Sequence, residues 1–78
     1  MARFTVLLYH EEGGYSALIP TLHVATEGKT LDEALAMAKE AAELRVEALV
    51  ADGEPILDEA CPPIVASVEV EVPVPASA

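Results

Sequence analysis

The side chains that most often carry nucleophilic or acid–base chemistry are scarce in this sequence. The 78 residues contain two histidines, His10 and His23, and one cysteine, Cys61. Neither histidine stands at a spacing typical of a catalytic dyad or triad. His10 precedes Glu11 and Glu12, so a metal or acid–base site there is an alternative, but a histidine beside a charged turn more often faces solvent. We therefore predict no catalytic residue, no metal site and no cofactor.

Paired carboxylates and adjacent glycines are two further patterns that could support chemistry. Glu69 and Glu71 share one side of a predicted strand, and two-metal nucleases need clustered acids. Alternation on a solvated sheet face explains this pair without a metal. Gly13 and Gly14 precede a strand rather than a helix and no Lys or Arg follows, so a P-loop or dinucleotide site lacks its parts. A metal-dependent nuclease stays as the weakest alternative.

The composition is strongly acidic. Four lysines and arginines stand against fourteen aspartates and glutamates, which gives a formal net charge of −10. Nucleic-acid binding relies on basic side chains that neutralise phosphates, so this chain is expected to repel nucleic acid. It is expected to attract a basic partner, with faster association at low salt.

Length and apolar content predict one small domain that associates with copies of itself. Seventy-eight residues form at most one domain, with a core near the lower limit for independent stability. The hydrophobic fraction of 53% argues against disorder and indicates more apolar surface than one monomer can bury. We predict a single domain over residues 1–72, a flexible tail over residues 73–78, and a homo-oligomer, with dimer and tetramer both open.

The sequence predicts a cytoplasmic protein with no membrane partner. No apolar run approaches the ~18 residues that a bilayer-spanning helix needs. The amino terminus, MARFTVLLYH, is too short and too alternating for a signal peptide. The chain has no Asn and no Gln, and because loss of these heat-labile amides accompanies heat adaptation, a thermophilic source is a further expectation.

The longest predicted element is a helix from Thr30 to Gly53. Thr30 and Glu33 have the spacing of a capping box, and Gly53 followed by Pro55 ends the helix. An apolar stripe opposite a charged face is expected to pack on the rest of the domain. Its members are Leu31, Leu35, Ala38, Ala42, Val46 and Leu49. A neighbouring flank has small side chains that permit close approach to another surface. Its members are Ala34, Ala41 and Ala48.

Four strands are predicted around this helix. Three of them, Arg3–His10, Tyr15–Ile19 and Leu22–Glu27, precede it, and Ile64–Val72 follows it. A right-handed crossover through the helix would place the last strand beside the first and parallel to it. The predicted fold class is therefore α+β, a two-layer βββαβ domain with a four-stranded mixed sheet (order 3-2-1-4) and one helix on one face. Apolar residues on the other sheet face predict an interface.

Three motifs occur in a fixed order along the chain: GGYSALIP, TEGKTLDEALAMAKEAAE and ADGEPI. Together they resemble the amino-terminal domain of the HicB antitoxin family, from about Phe4 to Ile56. In that family a Gly-Gly-Tyr hairpin leads to a strand ending in Pro, and a Gly-x-Thr-x-x-Glu-Ala helix start follows. The helix closes on Gly-Glu-Pro-Ile or a close variant. This chain departs from the family at residues 20–24, where the family usually has a Pro-x-Leu-Pro-Gly type segment and this chain has Pro-Thr-Leu-His-Val, with His23 in the proline region.

The resemblance implies a partial RNase H-like fold and a protein partner. That partner is a small basic toxin that cleaves messenger RNA and is held inactive by the acidic antitoxin. HicB proteins commonly carry a further carboxy-terminal DNA-binding domain, and this chain is expected to lack one. We therefore expect no direct nucleic-acid binding, and operator binding through another protein is left open. The RNase H-like label does not imply nuclease activity.

These observations predict a non-catalytic HicB-like antitoxin or antitoxin relative that binds and neutralises such a toxin. The contacts are expected on the first hairpin and on the acidic face of the helix. The predicted partner-binding residues are Tyr9, His10, Glu11, Glu12 and Tyr15. The alternative is an orphan self-associating domain, either structural or sensing a small molecule.

Overall fold

The structure, a computed structural model, describes residues 1–56, Glu59 and residues 63–75. Within that part of the chain, three strands, one 3-10 turn and one long helix make a small α+β fold with the element order β-β-β-α. No helix in the same residues is both long and apolar enough to cross a membrane.

The sheet is an antiparallel meander with its second strand in the centre. β1 spans Leu7–Glu11, β2 spans Gly14–Ile19 and β3 spans Val24–Gly28. β1 and β3 each pair antiparallel with β2, which gives the strand order β1-β2-β3. β1 begins at Leu7 rather than at the predicted Arg3.

The predicted fourth strand is wrong. The sequence assigned Ile64–Val72 to a strand beside β1, in a four-stranded sheet of order 3-2-1-4. Residues 63–75 instead carry neither strand nor helix, and all of them are exposed. The sheet has three strands over the described residues. Alternation of apolar and polar residues shows that one side of a segment is suited to burial. It does not show which part of the molecule, or which other molecule, that side packs against.

Two turns need unusual backbone conformations. Glu12 and Gly13 connect β1 to β2, and Gly13 has a φ of 87°, which glycine adopts at little cost. The 3-10 turn Pro20–Leu22 connects β2 to β3 and ends at His23, with φ 55° and ψ 45°. The backbone N–H of His23 donates to the Pro20 carbonyl oxygen at 3.2 Å. His23 is the one non-glycine residue with positive φ in the part of the chain described.

The predicted helix is confirmed, and α1 spans Leu31–Ala51. Its amino-terminal cap is Thr30, whose Oγ1 accepts a hydrogen bond from the Glu33 backbone N–H at 3.1 Å. Its last turn closes through Asp52, and Gly53 follows with a φ of 71°. The threonine and glycine signals in the sequence therefore gave both ends of the helix.

The core lies between α1 and the sheet and is small. Its buried members are Ala17, Ile19, Leu22, Ala34 and Ala38. Partly buried apolar side chains surround them: Phe4, Val6, Leu8, Tyr15, Val24, Ala42, Val46 and Leu49. Alanine supplies three of the five buried positions, so the helix and the sheet approach each other closely.

The first turns of α1 pack differently from the predicted stripe. Leu31 and Leu35 keep 44% and 39% of their surface exposed, whereas Ala34 is fully buried. The reason is Gly28 at the end of β3: a Cβ at that position would lie 2.8 Å from the Cα of Ala34. The first turns of the helix therefore meet the end of β3 through Ala34, and Leu31 and Leu35 stay partly exposed.

Candidate partner-binding surface

The five predicted partner-binding residues lie in the β1–β2 hairpin but are divided between its two faces. In the register, His10 pairs with Tyr15 and Tyr9 pairs with Ser16. Tyr15 packs against the core cluster, which places the His10–Tyr15 pair on the helix side of the sheet. Tyr9, 53% exposed, lies on the opposite face. A partner that approaches one face therefore contacts only part of the predicted set.

His10 and Tyr15 stack on each other. Their ring centroids are 4.8 Å apart with an interplanar angle of 22°. His10 is otherwise exposed and Tyr15 is half-buried, so the tyrosine covers one face of the imidazole. A stacked pair of this kind contributes about 0.5–1.5 kcal/mol beyond the area it buries. The contact gives His10 a role in holding the hairpin.

A shallow cleft opens where the hairpin turn meets the start of α1. Its volume is about 270 Å³. We call it the hairpin cleft, and its lining residues are Glu11, Glu12, Gly13, Gly14, Tyr15, Glu27, Gly28, Lys29 and Glu33. Antiparallel pairing brings these residues together, because Tyr15 at the start of β2 lies opposite Gly28 at the end of β3.

Two glycines make the floor of the hairpin cleft from backbone. A Cβ on Gly14 would strike the Gly28 carbonyl oxygen and would lie 3.2 Å from the Cα of Lys29. A Cβ on Gly28 would strike the backbone of Ala34. A side chain at either position would therefore displace backbone, so the floor is close-packed.

The hairpin cleft is acidic. Its lining contains four carboxylates and a single amino group, that of Lys29. All five of these side chains are exposed, so each pairwise interaction is weak and screened by salt. Their sum nevertheless favours a cation, and carboxylates accept strong charge-assisted hydrogen bonds from lysine and arginine. Among the residues the structure describes, no group of three or more His, Cys, Asp or Glu side chains is placed to hold a metal ion.

Sequence reasoning missed three of the six lining residues that are not glycine. It selected Glu11, Glu12 and Tyr15 but not Glu27, Lys29 or Glu33. The sequence did contain a signal for them. In an antiparallel meander, the third strand ends at the same end of the sheet as the first hairpin turn. Glu27 at the end of β3, and Lys29 and Glu33 around the start of α1, are therefore expected near the hairpin turn.

A second cluster, also missed from the sequence, fixes Glu59 against the amino-terminal segment and the 3-10 turn. The Thr5 backbone N–H donates to Glu59 Oε2 at 2.8 Å, and the Thr5 hydroxyl donates to Oε1 at 2.7 Å. The Thr21 hydroxyl donates to Oε2 at 2.9 Å. These contacts hold Glu59 beside the residue pair that flanks the sheet, Thr5 before β1 and Thr21 after β2. A concavity of about 330 Å³ follows there, between Thr5, Leu7 and Tyr9 on one side and residues 63–66 on the other.

An apolar groove runs beside α1 on the helix side of the sheet. Its volume is about 430 Å³, and Phe4, Val6, Leu35 and Val46 are among its lining residues. Lys39 and Glu43 supply the charged groups in the lining. Unlike the four carboxylates of the hairpin cleft, these two charges are of opposite sign, so the groove has no net preference for a cation.

The chain is similar to a protein of the cyanobacterium Synechocystis. UPF0150 protein ssr1765 of Synechocystis sp. is 42% identical over 55 residues, a match that covers 68% of this chain and 70% of the relative. No family model and no solved structure matches the chain. The identity and the coverage of both sequences are sufficient to assign the family, and the chain belongs to UPF0150.

Proposed function

We propose that this protein is a non-catalytic HicB-like antitoxin or antitoxin relative, which binds and neutralises a small basic toxin that cleaves messenger RNA. The observation that carries the proposal is the distribution of charge. The net charge is −10, and every described acidic side chain except that of Glu59 is exposed. Such a surface attracts a basic protein and repels nucleic acid.

The sequence motifs support the HicB-like part of the proposal, which goes further than membership of UPF0150. The Gly-Gly-Tyr motif lies at the turn and start of β2, and the Gly-x-Thr-x-x-Glu-Ala motif spans the end of β3 and the start of α1. Both motifs therefore contribute to the hairpin cleft. A cytoplasmic location is part of the proposal, because the toxin's substrate is messenger RNA.

We place the main contact with the toxin at the hairpin cleft. Basic side chains of the toxin would enter between Glu11 and Glu12 on one side and Glu27 and Glu33 on the other. Exposed acids continue from there along α1, namely Asp32, Glu40, Glu43 and Glu47. The acidic surface therefore extends beyond the cleft, and α1 at 21 residues is about 32 Å long.

The test begins with a low-salt pull-down of the tagged full-length chain from its own cell extract, with partners identified by mass spectrometry. A small basic protein recovered near equal ratio is then purified and assayed for cleavage of messenger RNA. We expect it to cleave alone and to be inhibited by an equimolar amount of this chain. We also expect the affinity to fall between about 0.05 M and about 0.5 M salt.

Matched charge reversals locate the contact. Glu11→Lys with Glu12→Lys is expected to weaken binding at least about tenfold, because it places positive charge in the cleft. Asp52→Lys with Glu54→Lys makes the same charge change at the other end of α1 and is expected to have a smaller effect. A recovered protein that does not cleave RNA, or whose cleavage this chain leaves unchanged, would disprove the proposal. Equal effects of the two double variants would remove the hairpin cleft as the contact.

A second function, self-association, is favoured by a different observation. Large apolar side chains remain exposed in the carboxy-terminal part of the chain, and Ile64 is 93% exposed. This does not compete with toxin binding, because the exposed segment and the hairpin cleft share no residue.

A further inference from the structure

Residues 63–66 line a concavity with Thr5, Leu7 and Tyr9, and residues 67–75 extend away from the folded body. The radius of gyration is 16.5 Å and the longest extent is 54 Å, whereas a compact chain of this length has a radius of gyration of about 11–12 Å. The large apolar side chains of the segment are between 71% and 93% exposed. They are Ile64, Val65, Val68, Val70, Val72 and Val74. The body therefore leaves these side chains accessible to another molecule.

Two prolines bound this segment symmetrically. Pro63 and Pro73 enclose nine residues, 64–72, and Val68 is the middle one. Because proline cannot donate a hydrogen bond to a strand ladder, pairing through this segment is expected to end at each proline. If two copies pair antiparallel about Val68, Pro63 of one chain lies opposite Pro73 of the other. Any other centre brings a proline into the ladder and shortens it.

The register centred on Val68 also matches the apolar side chains. Ile64 lies opposite Val72, Ala66 lies opposite Val70, and Val68 lies opposite its own copy. Side chains alternate between the faces of a strand, so all of these pairs share one face. Cross-strand pairs of β-branched side chains are among the contacts that stabilise antiparallel strands.

The same register separates the carboxylates on the other face. Val65 lies opposite Glu71 and Ser67 lies opposite Glu69, so no two acids face each other directly. A shift of the centre to Glu69 would place the two copies of that residue opposite each other. A shift to Val70 would place Glu69 opposite Glu71. Directly opposed like charges are destabilising, and the centre at Val68 avoids them.

We propose that residues 64–72 form a self-recognition strand, through which two copies of the chain pair antiparallel about Val68. The binding partner of this exposed segment is thus the same segment of a second copy of the chain. Each domain keeps its own three-stranded sheet, and the ribbon joins the two domains. A two-stranded ribbon is of marginal stability in water, so the association is weak and depends on protein concentration.

Cysteine scanning of the full-length chain tests the register, with Cys61→Ser in every variant. Opposed residues in antiparallel strands have Cα atoms about 4.5 or 5.5 Å apart, within the range that a disulfide can bridge. Val68→Cys alone is expected to form a disulfide-linked dimer at least about tenfold faster than Ile64→Cys alone or Val72→Cys alone. A mixture of the Ile64→Cys and Val72→Cys chains is expected to form the heterodimer.

Three outcomes would overturn the proposal. Rapid linkage of each of the three variants to itself would indicate parallel pairing. Equal slow linkage at every position would indicate random collision. Linkage of Val68→Cys with no linkage in the mixture would exclude the nine-residue ladder.

Salt separates this proposal from toxin binding. The two copies of Glu69 are diagonal neighbours in the ribbon and repel each other, so self-association measured by sedimentation is expected to strengthen with salt. Glu69→Gln is expected to strengthen it at low salt and to reduce its salt dependence. Toxin binding is expected to weaken with salt, so either proposal can fail while the other holds. Self-association that weakens with salt would contradict the ribbon.

Discussion

Glu59 is bound to the amino-terminal segment and to the 3-10 turn through three hydrogen bonds. The Thr5 hydroxyl, followed by the Thr5 backbone N–H, holds the pKa of the Glu59 carboxyl below its ordinary value. Burial acts in the opposite direction, and the Thr21 hydroxyl adds to the lowering. All three donors favour the ionised form, so the charged carboxylate is the form that stabilises this contact.

Glu59→Gln is expected to lower the melting temperature at neutral pH, because an amide cannot accept from all three donors. The folded-state pKa lies below the ordinary value of 4.5. The stabilisation is therefore fully present above that pH and is lost as the pH falls through the folded pKa. Thermal unfolding from about pH 7 to about pH 3 should show the two melting temperatures converging in acid. Glu54→Gln, at an exposed glutamate, is the control, and a difference that persists undiminished at the acid end would contradict this account.

His23 illustrates a residue whose backbone matters more than its side chain. Its φ of 55° is left-handed, and its side chain is exposed. His23→Gly is expected to raise the free energy of unfolding by up to about 1 kcal/mol, because glycine has no Cβ to clash in this conformation. His23→Val is expected to lower it by about 1–2 kcal/mol, because a β-branched residue is strained there. Urea unfolding measures both, and equal losses in the two variants would show that the imidazole itself is required.

At the scale of elements, the contact between the end of β3 and the first turns of α1 fixes the position of the helix. Gly28→Ala is expected to lower the free energy of unfolding by about 1–3 kcal/mol, because the added Cβ meets the backbone of Ala34 and Glu33. Denaturant unfolding measures the loss. Ala25→Ser, at an exposed position of the same strand, is the control. Unchanged stability in Gly28→Ala would mean that the helix start can move without cost.

Local signals predicted the elements better than their long-range contacts. Thr30 and Gly53 marked the ends of α1 because capping depends on residues within one turn. The Glu59–Thr5 contact joins residues 54 apart in the sequence, and neither residue type indicates the other. The predicted sheet failed for a related reason: the alternation of residues 64–72 is a local property, and the choice of a pairing surface is not. The hairpin side of the cleft lining was predicted, because the hairpin is a local element. The side formed by the end of β3 and the start of α1 was missed, because its position depends on the strand register.

At the scale of the whole molecule, the chain divides into a compact body and a projecting segment with different surface chemistry. The body places acids at the hairpin cleft and along α1. The segment presents apolar side chains with acids only at Glu69 and Glu71. The two associations proposed above use different surfaces, so both can occur on the same chain.

This division predicts that the projecting segment contributes little to the stability of the body. A chain that ends at Pro63 keeps the core cluster, the cap at Thr30 and the Glu59 contacts. Its free energy of unfolding is expected to stay within about 0.5 kcal/mol of the full chain, measured at a protein concentration low enough to keep both monomeric. Small-angle scattering should show the radius of gyration falling from 16.5 Å towards about 11 Å. A chain that ends at Pro75 is the control, since it keeps the whole segment. A large loss of stability on truncation at Pro63, absent from the control, would mean that residues 64–75 fold against their own body, because a segment used only between chains cannot stabilise a monomer.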